Sequence, residues 1–204
     1  MGHSEKMFNM KSLLLILFLT FSLQTISKAN DINDFEIEGM SLGESLLNYM
    51  DENLIKKEIN NKDITFYYDN DYVAISAWEI RKKFKKYDDV GIVFNPNDSN
   101  YKIVALEGTL ILESKKIKEC YQKQRKIVDE IKSSISFEVD EYTWFVSKQD
   151  LKSHQNSVKY IDLDFKNPLK NGAIRTTCYD IKNDDNLLYV VLDSPEFLSY
   201  IENR

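Results

Sequence analysis

Strand-forming segments arrive in consecutive pairs around short turn-rich stretches, and only one segment sustains an apolar face long enough for a substantial helix. That order constrains the fold more than any other feature, because paired neighbours close as antiparallel hairpins, whereas a doubly wound parallel sheet needs a helix after every strand. Ile64 to Tyr68 and Tyr72 to Trp78 read as strands around Asp69-Asn70-Asp71. Val90 to Phe94 and Tyr101 to Leu112 form the clearest hairpin, joined by Asn95 to Asn100, with Gly108 expected as a bulge or bend. The long helix is expected from about Lys115 to Ile135, capped by Ser114, with Ile117, Cys120, Tyr121, Ile127, Val128, Ile131 and Ile135 on one face. Four more strands follow, over Tyr142 to Ser147, Val158 to Phe165, Ala173 to Ile181 and Leu187 to Leu192. The predicted class is α+β: one domain, a mostly antiparallel sheet packed on one long central helix, with short helices near both ends.

The N-terminal helix is read from Ser41-Leu42-Gly43-Glu44, which matches a capping box and precedes Leu42, Leu46, Leu47 and Met50 at helical spacing. Further helical turns are expected from Asp51 through Ile59. The final helix is signalled by Ser194 as cap and Pro195 at the first helical position. Lys148 to Ser157 reads as a polar loop.

Residues 1–29 have the pattern of a secretory leader. A basic n-region at Lys11 precedes the apolar run Leu13 to Leu19, and Ser27-Lys28-Ala29 supplies the small residues of a cleavage site. The run is shorter than the roughly 20 apolar residues that span a bilayer. Met1, Met7 and Met10 are alternative starts. The expected product is a single α+β domain over 30–204, periplasmic or secreted, with no transmembrane segment. The full chain carries a net charge of −6 and becomes more acidic without the leader. An acidic surface disfavours non-specific nucleic-acid binding, and none is expected. Cys120 and Cys178 are the only cysteines, an even pair for which an oxidising compartment predicts a disulfide, with two buried thiols as the alternative. They offer no Cys-x-x-Cys spacing, and no metal or cofactor is assigned.

The run from Glu36 to Leu47 (EIEGMSLGESLL) resembles the opening of a group of uncharacterised exported proteins from Pelagibacter-type marine bacteria, as do Ile103 to Cys120 and Cys178-Tyr179-Asp180 followed by Asn186-Leu187. The resemblance covers most of the chain beyond the leader and implies no particular activity. Gly39-Met40-Ser41 is also similar to small periplasmic domains of the SmpA type, where a Ser begins a helix. The lipidated Cys of that family is missing here, so this likeness implies a local shape only.

Three constellations bear on function. Gly39-Met40-Ser41-Leu42-Gly43 fits the Gly-x-Ser-x-Gly pattern of a nucleophile elbow, which would make Ser41 the nucleophile and His154 its base in a small serine hydrolase; helix capping accounts for Ser41 without chemistry. Asp162 and Asp164 alternate with apolar residues and are read as the solvated face of a half-buried strand. Arg81, Lys82, Lys83, Phe84, Lys85 and Lys86 form the one basic block, flanked by Trp78 and Tyr87. Cations beside aromatics suit an anionic glycan, a lipid headgroup or nucleic acid, the last disfavoured by the acidic surface, and a solvated loop is the plainer reading. The sequence thus favours a binding or scaffolding protein over an enzyme, its partner an anionic envelope component or another periplasmic protein.

Overall fold

The computed structural model describes residues 29–61, 65–68, 71–113, 116–136, 138–147, 155–165 and 172–203. The predicted leader except Ala29, the cap Ser114 and the base His154 lie outside these residues. Ten strands are described: β1 (Glu36–Ile37), β2 (Met40–Ser41), β3 (Thr65–Tyr68), β4 (Tyr72–Ser76), β5 (Asp89–Phe94), β6 (Ile103–Leu112), β7 (Val139–Ser147), β8 (Gln155–Phe165), β9 (Ala173–Ile181) and β10 (Asn186–Asp193). Three α-helices accompany them, α1 (Glu52–Ile59), α2 (Ile117–Ser134) and α3 (Pro195–Glu202).

β3 to β10 form one eight-stranded sheet in the order β3-β4-β5-β6-β10-β9-β8-β7, every neighbouring pair antiparallel. The class is α+β with a large antiparallel sheet and few helices. Two four-stranded meanders meet where β6 pairs with β10. Four antiparallel steps separate β6 from β7, so these two strands run the same way, and the connection through α2 is a crossover to the far edge.

α2 packs on β9 and β10. Cys120, Gln124 and Val128, four residues apart, are its buried positions. The Cys120–Cys178 disulfide ties the first turns of α2 to β9, with Cα atoms 6.1 Å apart. Gln124 Nε2 donates to the carbonyls of Lys159 and Thr176, both at 3.0 Å, and so joins helix to sheet. The core on this face includes Ile92, Leu106, Leu192, Ile174, Ile161 and Leu163, with Ile55 of α1. On the opposite face α3 lays Phe197 against Tyr72, Val93, Val104 and Ala105. Ser194 caps α3, its side chain accepting from the Phe197 amide, with Pro195 in the first turn.

Local expectations were corrected in four places. Ser41 does not cap a helix: it lies in β2, and a short 3-10 turn over Leu46–Asn48, capped by Ser45, stands where a helix was expected. Half of the capping box survives, since Glu44 accepts from the Ser41 amide at 3.1 Å. The cause is tertiary: the Gly43 amide donates to the Ile103 carbonyl and the Ile103 amide to Glu44, so this segment joins the start of β6. Gly43 has φ +81°, which an α-helix cannot accommodate. Gly108 is not a bulge. β6 runs through it, the register shift falls between Val93 and Phe94, and the glycine admits the ring of Tyr87, which a Cβ would meet at 2.6 Å. β4 stops at Ser76, and Trp78 opens a 3-10 segment over Trp78–Lys83. β8 begins at Gln155, inside the stretch predicted as a loop, of which residues 148–154 lie outside the described residues.

Candidate functional site

Beyond α3, the sheet face opposite α2 is polar and aromatic, and β-pairing arranges it in rows. Gly91, Glu107, Val191, Arg175, Asp162 and Tyr142 are successive cross-strand partners from β5 to β7. The adjacent row runs Asp89, Thr109, Tyr189, Thr177, Tyr160 and Trp144. Partners in register project to one face, and residues two apart on a strand share it. Glu107, Arg175, Thr177, Tyr160, Tyr179 and Tyr189 line a recess of about 480 Å³ there.

The aromatic groups brace one another. Trp144 stacks on Tyr160 with centroids 5.4 Å apart, and Tyr179 meets Tyr189 edge-on at 5.3 Å. Burial raises the phenol pKa of Tyr179, helped by Tyr160, and pushes Tyr189 up to about 12, helped by Glu107 and Asp89. Tyr179 and Tyr189 therefore remain neutral phenols at ordinary pH.

The charges are less settled. Arg175 Nε lies 3.1 Å from Asp162 Oδ1. Burial raises the Asp162 carboxyl pKa even so, and Arg175 only partly opposes it. Glu107 has no hydrogen-bond donor among the described residues. Burial, with the negative charges of Asp193 and Asp89, pushes it up to about 7. Asp193, 3 % exposed, also lacks a side-chain hydrogen bond among the described residues. Burial raises it to about 6, although Arg175 pulls the other way. Asp89 differs in accepting from the Ser76 hydroxyl at 2.7 Å. A buried carboxylate without a donor costs free energy that a ligand can return. Among the described residues no three of His, Cys, Asp and Glu converge as metal ligands would.

The structure places the sequence-predicted residues elsewhere. Ser41 sits in β2 beside the turn Glu38-Gly39, whose φ values of +53° and +80° close a two-residue hairpin. This is a hairpin and not the strand-to-helix elbow that the hydrolase motif requires. His154, its expected base, lies outside the described residues. Arg81, Lys82 and Lys83 end the Trp78–Lys83 segment, and the Arg81 guanidinium covers the Trp78 ring at 3.4 Å. Phe84 packs against the core, while Lys85 and Lys86 are exposed. The Glu38 carboxylate accepts from the amides of Lys85, Lys86 and Tyr87 at 2.6 to 2.9 Å. The basic block is thus anchored through its backbone. Asp162, read as solvated, is 7 % exposed. Glu107, Asp193 and Arg175 escaped notice because each stands singly in its strand, and only the register assembles them.

Among the described residues no helix is long and apolar enough to cross a membrane. No family model, curated protein or solved structure matches the chain.

Proposed function

We propose that this chain is an exported binding protein of the periplasm or cell envelope, related to the marine-bacterial group it resembles, with α2 as its central packing element. Its ligand lies on the open sheet face and is an organic cation. The observation that carries this reading is Glu107, a half-buried carboxylate in the lining of a tyrosine-rich recess, with the buried carboxylate of Asp193 adding its charge from outside that lining; neither has a hydrogen-bond donor among the described residues. An ammonium group would supply the missing donors, and aromatic faces attract cations. Asp162 is already engaged by Arg175, which leaves Glu107 to read the ligand, with the negative charge of Asp193 adding to the field. The disulfide suits an oxidising compartment.

Titration with spermine, followed through Trp144 fluorescence, tests the proposal. Affinity is expected to rise between pH 6 and pH 8, as Glu107 and Asp193 ionise, and to fall about tenfold in Glu107→Gln. Equal affinity at both pH values, or unchanged binding in Glu107→Gln, would overturn it.

A further inference from the structure

The α2 side of the sheet carries a second cavity of different chemistry. α2 lies along β9 and β10, whereas β1 packs on β6. Between them a cleft of about 410 Å³ opens over the sheet. Its floor is Leu110, Val190 and Leu192, and its walls are Ile127 and Ile131 of α2 and Ile37 of β1. The Tyr87 ring, seated over Gly108, also faces it.

The charged groups at the cleft are Lys86, Lys123 and Lys126, against Glu36 and Glu130. Lys126 reaches Glu130 at only 3.7 Å, both side chains exposed. Neither Lys86 nor Lys123 forms an ion pair among the described residues, although Lys86 lies within the field of Glu38. Apolar walls under an excess of ammonium groups select a ligand with an apolar body and an anionic head. A volume in the range of about 300–1,000 Å³ holds one small molecule, which favours a free single chain over a two-chain lipid.

We infer that this cleft binds a long-chain carboxylate, its tail between α2 and β1 and its head at Lys86 and Lys123. The site is independent of the cation site on the opposite face. It also gives Lys86, one residue of the basic block, a specific task that the block as a whole lacks.

Calorimetric titration of the full chain with octanoate, decanoate and dodecanoate tests the inference. Affinity is expected to rise roughly fourfold per methylene, and dodecanol is expected to bind at least about tenfold more weakly than dodecanoate, as loss of a charge-assisted contact predicts. Ile127→Trp fills the cleft and is expected to abolish dodecanoate binding while leaving spermine binding unchanged. Lys86→Gln with Lys123→Gln alters only exposed side chains and is expected to erase the preference for carboxylate over alcohol. Full dodecanoate affinity in a folded Ile127→Trp, an unchanged preference in the double Gln variant, or binding to anionic phospholipid vesicles without binding to dodecanoate would each overturn it.

Discussion

Asp162 and Arg175 are cross-strand partners on β8 and β9, with the guanidinium Nε 3.1 Å from one carboxylate oxygen and 3.2 Å from the other. The Asp162 side chain is 9 % exposed and that of Arg175 37 %, so the two differ in what each loses when the other is removed. Arg175→Leu strands a buried carboxylate and is expected to cost about 3 kcal/mol. Replacing both with Leu is expected to recover most of that loss, because a buried pair often does no better than apolar side chains of similar size. Chemical denaturation of the two single variants and the double variant measures the coupling; additive losses would show that the pair does not act as a unit.

Glu107 links stability to pH with a definite sign. Its folded pKa of about 7 lies above the ordinary value of 4.5. The proton is therefore held more tightly in the folded state, and its stabilising contribution is complete below about pH 4.5 and lost as pH rises through 7. Asp193, raised to about 6, acts in the same direction. Glu107→Gln is expected to stabilise the protein at pH 8 by roughly 2 kcal/mol and to leave it nearly unchanged at pH 4. Denaturation at the two pH values checks this, and equal effects at both would refute it.

Glu141 opposes that trend. Arg125, with help from Lys132, holds its carboxyl at about 2 despite partial burial. A lowered pKa contributes stability above about pH 4.5 that disappears as pH falls toward 2. Glu141→Gln is expected to lower the melting temperature at pH 7 and to have little effect at pH 2, a profile opposite in slope to that of Glu107→Gln. Parallel profiles for the two variants would contradict these assignments.

The features legible in the sequence are those with local causes. Strand-forming segments between turn-rich stretches marked most of the strands, helical spacing marked α2, and Ser194-Pro195 marked the start of α3. Ser41 misled because its capping signal is genuine, with Glu44 still reaching the Ser41 amide, but the contact of Gly43 with Ile103 outweighs it. The junction of β6 with β10 has no local signal, since α2 and three strands separate them in sequence. The polar recess inherits that problem. Glu107, Arg175 and Asp162 come from three separate strands and share a face only through that junction.

Gly108 and Tyr87 form a size-matched pair. A Cβ at residue 108 would lie 2.6 Å from the Tyr87 ring, closer than real contacts allow. Gly108→Ala is expected to destabilise by about 1–3 kcal/mol through overpacking. Combining it with Tyr87→Ala makes room for the methyl, so the double variant is expected to be no less stable than Tyr87→Ala alone. A loss in the double variant that equals the sum of the single losses would show that Gly108 serves some purpose other than admitting this ring.

Glu38 anchors the basic block from the β1–β2 hairpin turn, where it adopts φ +53°, a left-handed conformation that costs a non-glycine residue roughly 1–2 kcal/mol. Its carboxylate accepts from the amides of Lys85, Lys86 and Tyr87. Burial works against the charge, yet these amides and Lys86 together hold the pKa below its ordinary value. Glu38→Ala keeps the strained backbone and loses the carboxylate, and a loss of about 2 kcal/mol is expected. Glu38→Gly also loses the carboxylate but relieves the backbone, so it is expected to be about 1 kcal/mol more stable than Glu38→Ala. In both variants the amides of residues 85 to 87 are expected to exchange with solvent at least about tenfold faster, a change that hydrogen exchange resolves residue by residue. Replacing Lys82, Lys83, Lys85 and Lys86 with Gln alters exposed side chains and not these amides, so stability is expected to stay within about 0.5 kcal/mol of the parent. If the four-Gln variant instead lost stability while Glu38→Ala did not, the block would be held by its side chains and the anchoring role of Glu38 would be wrong.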